Sequence, residues 1–148
     1  MRDSYASNPQ FEAWRRGERI DWDARASWWR PFHDHIARAI ARGVSVRRAR
    51  VVSEPVSEYI RWEHYVTRAN VEAGEEVRWL PRRNASDLAL PGNDFWLFDG
   101  RLARLHHFSG EGEVVEDELT TDAGVLGLCA TAFEAVWQRA VPHEKYEL

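Results

Sequence analysis

The chain has 148 residues and a net charge of −4 at pH 7, which predicts one compact domain with a core of its own. The acidic balance argues against non-specific nucleic-acid binding, and the lack of a long apolar run excludes a membrane-spanning helix. Cys129 is the only cysteine, so neither an intrachain disulfide nor a cysteine-based zinc site is expected.

The N-terminus is polar and has no apolar signal region, which together with the single cysteine predicts a cytoplasmic protein. The chain has eight tryptophans, and we expect most of these rings in the core and some of them lining a groove. We predict a loose N-terminus over residues 1–8 and a single α+β domain over residues 9–148.

Two helices are predicted before the first strand. Asn8 and Pro9 are a capping residue followed by proline at the first helical position, and Gly17 ends that helix. A second helix begins near Ser27 or later and ends at Gly43.

The middle of the chain predicts a strand, a crossover helix and a second strand. Residues 44–52 are β-branched at both ends and form the first strand, and Pro55 opens a long helix that runs to Ala73. Residues 77–81 form the second strand, and a polar loop follows over residues 82–93. Strands joined by a crossover helix run parallel, so these two are expected to lie side by side.

A β-hairpin is predicted over residues 91–108. An aromatic strand over residues 94–99 is followed by a tight turn at Asp99-Gly100 and by a second strand over residues 101–108. This pattern of aromatic residues around an Asp-Gly pair is typical of a two-stranded antiparallel unit.

The C-terminal part predicts an edge strand near residues 113–119 and a final helix capped by Asp122. Pro142 ends that helix, and the residues after it are expected to trail away from the fold. The overall order predicts the α+β class, with a mixed sheet of about four or five strands packed against helices. The strand and helix order is β-α-β-β-β-α after the two N-terminal helices.

Three stretches of the sequence are distinctive when they are taken together: "RARVVSEPVSEYIRWE", "GEEVRWLPR", and "LPGNDFWLFD" followed by "LCATAFEAVWQRAVPHEKY". They resemble an actinobacterial family of small proteins, the domain of unknown function DUF6879, from about Trp28 to Tyr146. Members of that family commonly lie beside small helix-turn-helix regulators in their genomes. The resemblance implies no activity, but it implies such a regulator as a partner or neighbour.

The strand-helix-strand-strand-strand-helix order also resembles one half of the phospholipase D fold, whose motif is His-x-Lys-x4-Asp. When Asp99 is set on the aspartate of this motif, Asp94 falls on the lysine and Gly92 on the histidine. The nucleophile and the phosphate-binding cation are then both missing. The resemblance therefore implies a half domain that has lost phosphodiesterase chemistry.

The acids and histidines of the hairpin are the candidates for catalysis or metal binding. Asp94 and Asp99 are separated by four residues and so point to opposite faces of a regular strand, as do the adjacent His106 and His107. Asp94 is then expected to cap the loop and Asp99 to serve the turn. No recognised ligand spacing is present, and we expect neither a metal nor a cofactor.

The better candidate is a basic edge where the two parallel strands end. Ligands of open α/β sheets bind at the carboxyl ends of strands, and guanidinium forks beside an indole suit an anionic or planar ligand. The alternative is a solvated strand face whose arginines pair with neighbouring glutamates. The predicted ligand-binding or partner-binding residues are Arg48, Arg50, Glu54, Trp79, Arg82, Asp94 and Trp96.

The sequence favours a non-enzymatic cytoplasmic binding or regulatory accessory protein. Its expected partner is a helix-turn-helix regulator, another acidic protein segment or a small anionic ligand, and a homodimer is left open. Neither direct nucleic-acid binding nor membrane binding is expected. The alternative is a small hydrolase, phosphodiesterase or nucleotide-modifying enzyme that uses Asp94, His106 or His107. A bulge in the hairpin that brought an acid and a histidine within hydrogen-bond reach would favour this enzyme.

Overall fold

A computed structural model describes residues 3–5 and 8–148 of the chain. The helices are α1 (Pro9–Arg15), α2 (Arg25–Trp28), α3 (Pro31–Ala41), α4 (Glu58–Glu72) and α5 (Ala123–Arg139). The strands are β1 (Arg47–Val52), β2 (Glu76–Pro81), β3 (Asp94–Phe98), β4 (Leu102–Phe108), β5 (Val114–Thr120) and β6 (Val141–Pro142). The predicted α+β class is confirmed. None of the helices in the described ranges is long and apolar enough to cross a membrane.

The strands form two three-stranded sheets rather than the one mixed sheet of four or five strands that was predicted. The first sheet has the order β1-β2-β6, with β1 parallel and β6 antiparallel to β2. The second sheet is an antiparallel meander in the order β3-β4-β5. Residue periodicity identifies strands, but it does not specify which strand edges form hydrogen bonds with each other. In this protein β1 and β3 are not hydrogen-bonded to each other.

The crossover unit β1-α4-β2 has the predicted parallel pairing, with Arg48 opposite Val77 and Arg50 opposite Trp79. Helix α4 begins at Glu58, however, and not at Pro55. The Ser57 hydroxyl accepts a hydrogen bond from the Ile60 N–H at 3.2 Å, so a side-chain cap rather than the proline sets the start of the helix.

Each face of the first sheet packs against a different helix. The α4 face forms a core cluster of Val52, Tyr59, Ile60, Trp62, Val77, Trp79 and Tyr146. The α5 face forms a second cluster of Val51, Leu80, Ala85, Val136 and Ala140. Helix α5 also contacts β3 and β4, so it is the element that holds the two sheets side by side.

Both ends of the chain pack against this first sheet. Asp3, which lies in the segment predicted as a loose terminus over residues 1–8, accepts hydrogen bonds from the N–H and the hydroxyl of Ser53 at 2.8 and 2.7 Å. Residues 1, 2, 6 and 7 lie outside the described ranges. At the other end, Tyr146 stacks on Trp79 with ring centroids 5.7 Å apart, so the C-terminal residues do not trail.

The predicted hairpin turn is confirmed. Asp99 and Gly100 both have positive φ angles, 51° and 66°, as a primed β-turn requires. The Arg101 N–H donates to the Phe98 carbonyl at 2.9 Å and closes the turn. β5 lies at the free edge of this sheet, as the sequence predicts.

Truncating Trp137 tests the contribution of α5 to the core. The residue is 8% exposed, its ring stacks on Phe133 at 5.6 Å, and the Arg78 guanidinium lies 4.2 Å from the ring centroid. Trp137→Ala is expected to lower the free energy of unfolding by about 3–5 kcal/mol, measured by chemical denaturation. Leu128→Ala is the matched control on the exposed side of the same helix, and an equal effect of the two changes would contradict this packing.

His143 is expected to make the fold sensitive to acid. Trp79 Nε1–H donates to His143 Nδ1 at 3.1 Å, so the folded chain holds the neutral imidazole. Burial, aided by the neighbouring His64, lowers the pKa of His143 from 6.5 to about 4. As the pH falls, the unfolded chain therefore binds a proton at His143 at a higher pH than the folded chain does. The resulting stability is complete above pH 6.5 and is lost as the pH falls towards 4.

His143→Gln keeps an acceptor for the Trp79 indole but cannot titrate. Between pH 6.5 and pH 4 the variant should lose less stability than the wild-type chain, as measured by denaturation midpoints. Equal losses in the two proteins would show that His143 does not carry this pH dependence.

Candidate functional site

A cavity of about 480 Å³ lies between the two sheets, and we call it the inter-sheet cleft. Residues 47–51 of β1 and residues 93–96 at the start of β3 line it without a break. Successive strand residues point to opposite faces, so a cavity that touches all of them faces the edge of each strand. The cleft therefore runs between the free edges of β1 and β3.

The two walls of the cleft differ in chemistry. On one side, α5 contributes the apolar side chains of Ala132, Phe133 and Val136, which we call the apolar wall. On the other side lies the polar wall, which consists of Tyr5, Arg48, Arg50, Tyr59, Glu63 and Arg82. A bound molecule would meet aliphatic and aromatic carbon on one face and charged groups on the other.

Arg50 lies at the bottom of the polar wall and forms an ion pair with Glu63. Their side chains are only 13% and 14% exposed, and this burial lowers the pKa of Arg50. The Tyr59 hydroxyl donates to the other Glu63 oxygen at 3.1 Å. Arg50 Nε is buried and has no hydrogen-bond partner among the described residues. A buried donor without an acceptor costs about 1–3 kcal/mol, and more when the group is charged.

Arg48 is held in place by a buried carboxylate, that of Glu75. Its Nε and Nη2 both donate to the Glu75 carboxylate at 2.9 Å, and the Glu75 side chain is fully buried. Its guanidinium lies 5.3 Å from the Trp96 ring and 5.8 Å from the Phe32 ring. This bidentate pair fixes the orientation of a cation at the cleft before anything binds.

Arg82 extends the polar wall towards solvent and has 41% of its side chain exposed. It donates to Ser53 Oγ at 3.1 Å and to the Val51 carbonyl at 3.3 Å, and it pairs with Asp3 at 3.5 Å. Burial alone would raise the pKa of Asp3. The hydrogen bonds from Ser53 and the charge of Arg82 outweigh burial, and the pKa lies below its usual value.

Asp94 and Trp96 project from β3 towards the same cleft. Asp94 accepts a hydrogen bond from the Tyr5 hydroxyl, which connects the N-terminal residues to the second sheet. The Trp96 ring stacks on Phe98 with centroids 6.4 Å apart. Five of the predicted residues thus line the cleft: Arg48, Arg50, Arg82, Asp94 and Trp96.

The other two predicted residues lie elsewhere. Trp79 is 0% exposed because β2 is the central strand of its sheet and carries this side chain into the α4 cluster. The indole therefore cannot touch a ligand in the cleft. Glu54 pairs with Arg83 at 2.5 Å and accepts from the Tyr146 hydroxyl at 2.8 Å, outside the cleft.

The histidines of β4 contact acids of β5 rather than acids of their own hairpin. His106 Nδ1 lies 2.5 Å from Asp117 Oδ1, and His107 Nε2 lies 2.9 Å from Glu118 Oε2. The β3–β4 pairing is regular from Asp94 to Phe98, and a register shift of the second sheet falls between His107 and Phe108 in the β4–β5 pairing. The hairpin bulge that would favour an enzyme is thus not found there. Across the described ranges, no group of three or more His, Cys, Asp or Glu side chains could hold a metal ion.

Sequence reasoning missed Tyr5, which it placed in a loose terminus, and it also missed Tyr59, Glu63 and the apolar wall. One signal was available. Glu63 follows Tyr59 by one helical turn, which places a carboxylate beside the apolar stripe of α4. The inward face of β1 likewise carries Arg50 next to Val52, and a cation at an inward position indicates a buried partner.

The family model described as "Domain of unknown function (DUF6879)" matches residues 1–148, the full length of the chain. The chain belongs to this family. A comparison with curated proteins found no significant match, and a comparison with solved structures found none either. Membership of the DUF6879 family carries no activity, so the inter-sheet cleft is the basis for assigning one.

The buried ion pair between Arg50 and Glu63 changes the expected effect of charge reversal on the stability of the protein. From the sequence alone, Arg50→Glu with Arg82→Glu is expected to abolish partner or ligand binding and to leave the melting temperature nearly unchanged. In the folded chain, Arg50→Glu sets two buried carboxylates against each other, because Glu63 stays in place. We expect Arg50→Glu to cost about 3–5 kcal/mol of stability, measured by chemical denaturation.

Arg82→Glu is the matched comparison and should cost much less, since Arg82 is partly exposed. The swap of Arg50→Glu with Glu63→Arg should recover part of the loss. An Arg50→Glu variant as stable as the wild-type chain would show that this pair is not buried in solution.

Proposed function

We propose that this DUF6879 protein is a non-enzymatic binding protein whose inter-sheet cleft accepts a carboxylate-bearing segment of a partner protein. The observation that carries the proposal concerns Arg50, a residue that lines the cleft and whose Nε–H is buried with no hydrogen-bond partner among the described residues. A carboxylate oxygen is a strong acceptor for such a donor and would remove the cost of leaving it unsatisfied.

The chemistry of the walls supports a protein segment over a small inorganic anion. Arg48 and Arg82 lie along the same wall and add guanidinium groups to it. The arginines are also paired with acids of the chain itself, so binding depends on completing hydrogen bonds more than on net positive charge. The apolar wall opposite them would cover aliphatic side chains, which inorganic anions lack.

The lining of the cleft also favours binding over catalysis. In the described part of the chain, no serine, threonine, cysteine or lysine lines it. The polar groups that do line it hold each other: Tyr5 with Asp94, and Tyr59 with Glu63. His106 contacts Asp117, so the usual nucleophile-and-base pairing of a hydrolase has no support there.

The localisation, origin, partner and fold relation in this proposal are supported by the sequence, the family resemblance and the order of the elements. The single cysteine supports a cytoplasmic protein, and the family resemblance supports an actinobacterial origin and a helix-turn-helix regulator as the source of the acidic segment. The element order β1-α4-β2-β3-β4-β5-α5 supports a relation to half of the phospholipase D fold. In this proposal the half-fold has kept a binding cleft and lost phosphodiesterase chemistry.

Arg50→Lys tests the anchor with a fluorescein-labelled hexaglutamate peptide as probe. Lysine keeps the positive charge beside Glu63 but removes the Nε–H and the planar fork. We expect the dissociation constant, measured by fluorescence anisotropy, to rise about tenfold or more, in line with one lost charged hydrogen bond.

Arg139→Lys is the matched control, because Arg139 also binds a carboxylate in a bidentate pair, with Asp87, but lies outside the cleft. It should leave the affinity unchanged. An affinity that is equal in wild-type and Arg50→Lys protein, or that falls equally in both variants, would contradict the proposed anchor.

A further inference from the structure

We propose that the partner segment binds as an added β-strand between β1 and β3 and joins the two sheets into one continuous sheet. This inference rests on the proposed function, since it describes how a protein segment occupies the inter-sheet cleft. Strand addition to an open edge is an established mode of peptide recognition, in which main-chain hydrogen bonds supply affinity and side-chain pockets supply specificity.

Both strands that border the cleft are edge strands. β1 is hydrogen-bonded to β2 on its inner side, and β3 is hydrogen-bonded to β4. Their outer edges face each other across the cleft, which is lined by consecutive residues of each strand. An exposed edge is normally blocked by charge, a bulge or a covering element, because its main-chain groups readily pair with another strand.

The direction of the main-chain groups of β1 follows from its register. The Glu76 N–H donates to the Val46 carbonyl at 2.9 Å, and in a parallel ladder every second residue bonds to the same neighbour. Arg48 and Arg50 are therefore turned towards β2, and the main-chain groups of Arg47, Ala49 and Val51 point away from it. The Val51 carbonyl agrees with this, because it accepts from Arg82 Nη2 at 3.3 Å on the cleft side.

Helix α5 forms one side of the gap between β1 and β3. It contacts both β1 and β3, so it spans the gap and closes one face of the cleft. A strand placed there would direct alternate side chains to α5 and to the polar wall. The apolar wall of Ala132, Phe133 and Val136 fits aliphatic residues, and Arg48 and Arg50 fit acidic ones. The geometry thus points to an extended segment in which apolar and acidic residues alternate.

Hydrogen exchange on the wild-type protein gives the direct test. The probe is a blocked hexapeptide of alternating valine and glutamate, and exchange of individual amides is followed by NMR with and without saturating peptide. The amides of Arg47, Ala49 and Val51 should exchange at least about tenfold more slowly when the peptide is bound, because they acquire main-chain partners. The amides of Arg48 and Arg50 already face β2 and should change little.

Ala49→Pro tests the same contact from the protein side. It removes an N–H that points into the cleft and no bond of the β1–β2 ladder, and proline is tolerated at such edge positions. Peptide affinity should fall about tenfold or more, whereas Arg139→Lys, which lies outside the cleft, should bind like the wild-type protein. A thermal melt of both variants verifies that they are folded.

The outcomes separate this inference from the proposed function. If the peptide binds without slowing the Arg47 and Ala49 amides, or does not bind the wild-type protein at all, the added strand is wrong. Loss of hexaglutamate binding in Arg50→Lys would still support the carboxylate anchor in that case. If the amides are protected but Arg50→Lys binds hexaglutamate normally, the added strand stands and the anchor is wrong.

Discussion

The buried ion pair between Arg50 and Glu63 is the interaction on which the cleft depends. A guanidinium can occupy the inward face of β1 only if a neighbouring element supplies an acid, and α4 supplies Glu63 at that point. The pair therefore links the strand to its crossover helix through charge as well as through the apolar cluster around Trp62. It also places a buried cation beside open space, which an apolar residue at this position would not do.

Helix α5 has a comparable role for the two sheets. β1 and β3 share no hydrogen bonds, so the sheets are held together by side chains packed on this helix and by contacts such as the one between Tyr5 and Asp94. Side-chain packing therefore joins β1 and β3 without main-chain hydrogen bonds between them. The same arrangement that divides the sheet is thus the one that creates a site between its halves.

Residues near both ends of the chain support the site, since Tyr146 lies in the α4 cluster and Tyr5 packs against it. Asp3 orders the residues after β1 through Ser53 and also contacts Arg82 in the polar wall. Tyr146 stacks on Trp79 and excludes water from the α4 face of the first sheet. Since Trp79 lies directly opposite Arg50 in the strand pairing, the C-terminal contact also surrounds the buried cation with aromatic carbon.

The sequence by itself determined the local elements: the β1-α4-β2 crossover, the Asp99-Gly100 turn and the Asp122 cap of α5 all follow from residue periodicity and turn chemistry. It also placed most of the candidate arginines on one strand. Only the tertiary structure decided that the sheet divides between β1 and β3, that Trp79 is buried, and that α5 forms the opposite wall of the cleft. The reason is physical: periodicity and capping act over a few residues. The choice of strand edge and the depth of burial depend on the packing of residues far apart in the chain.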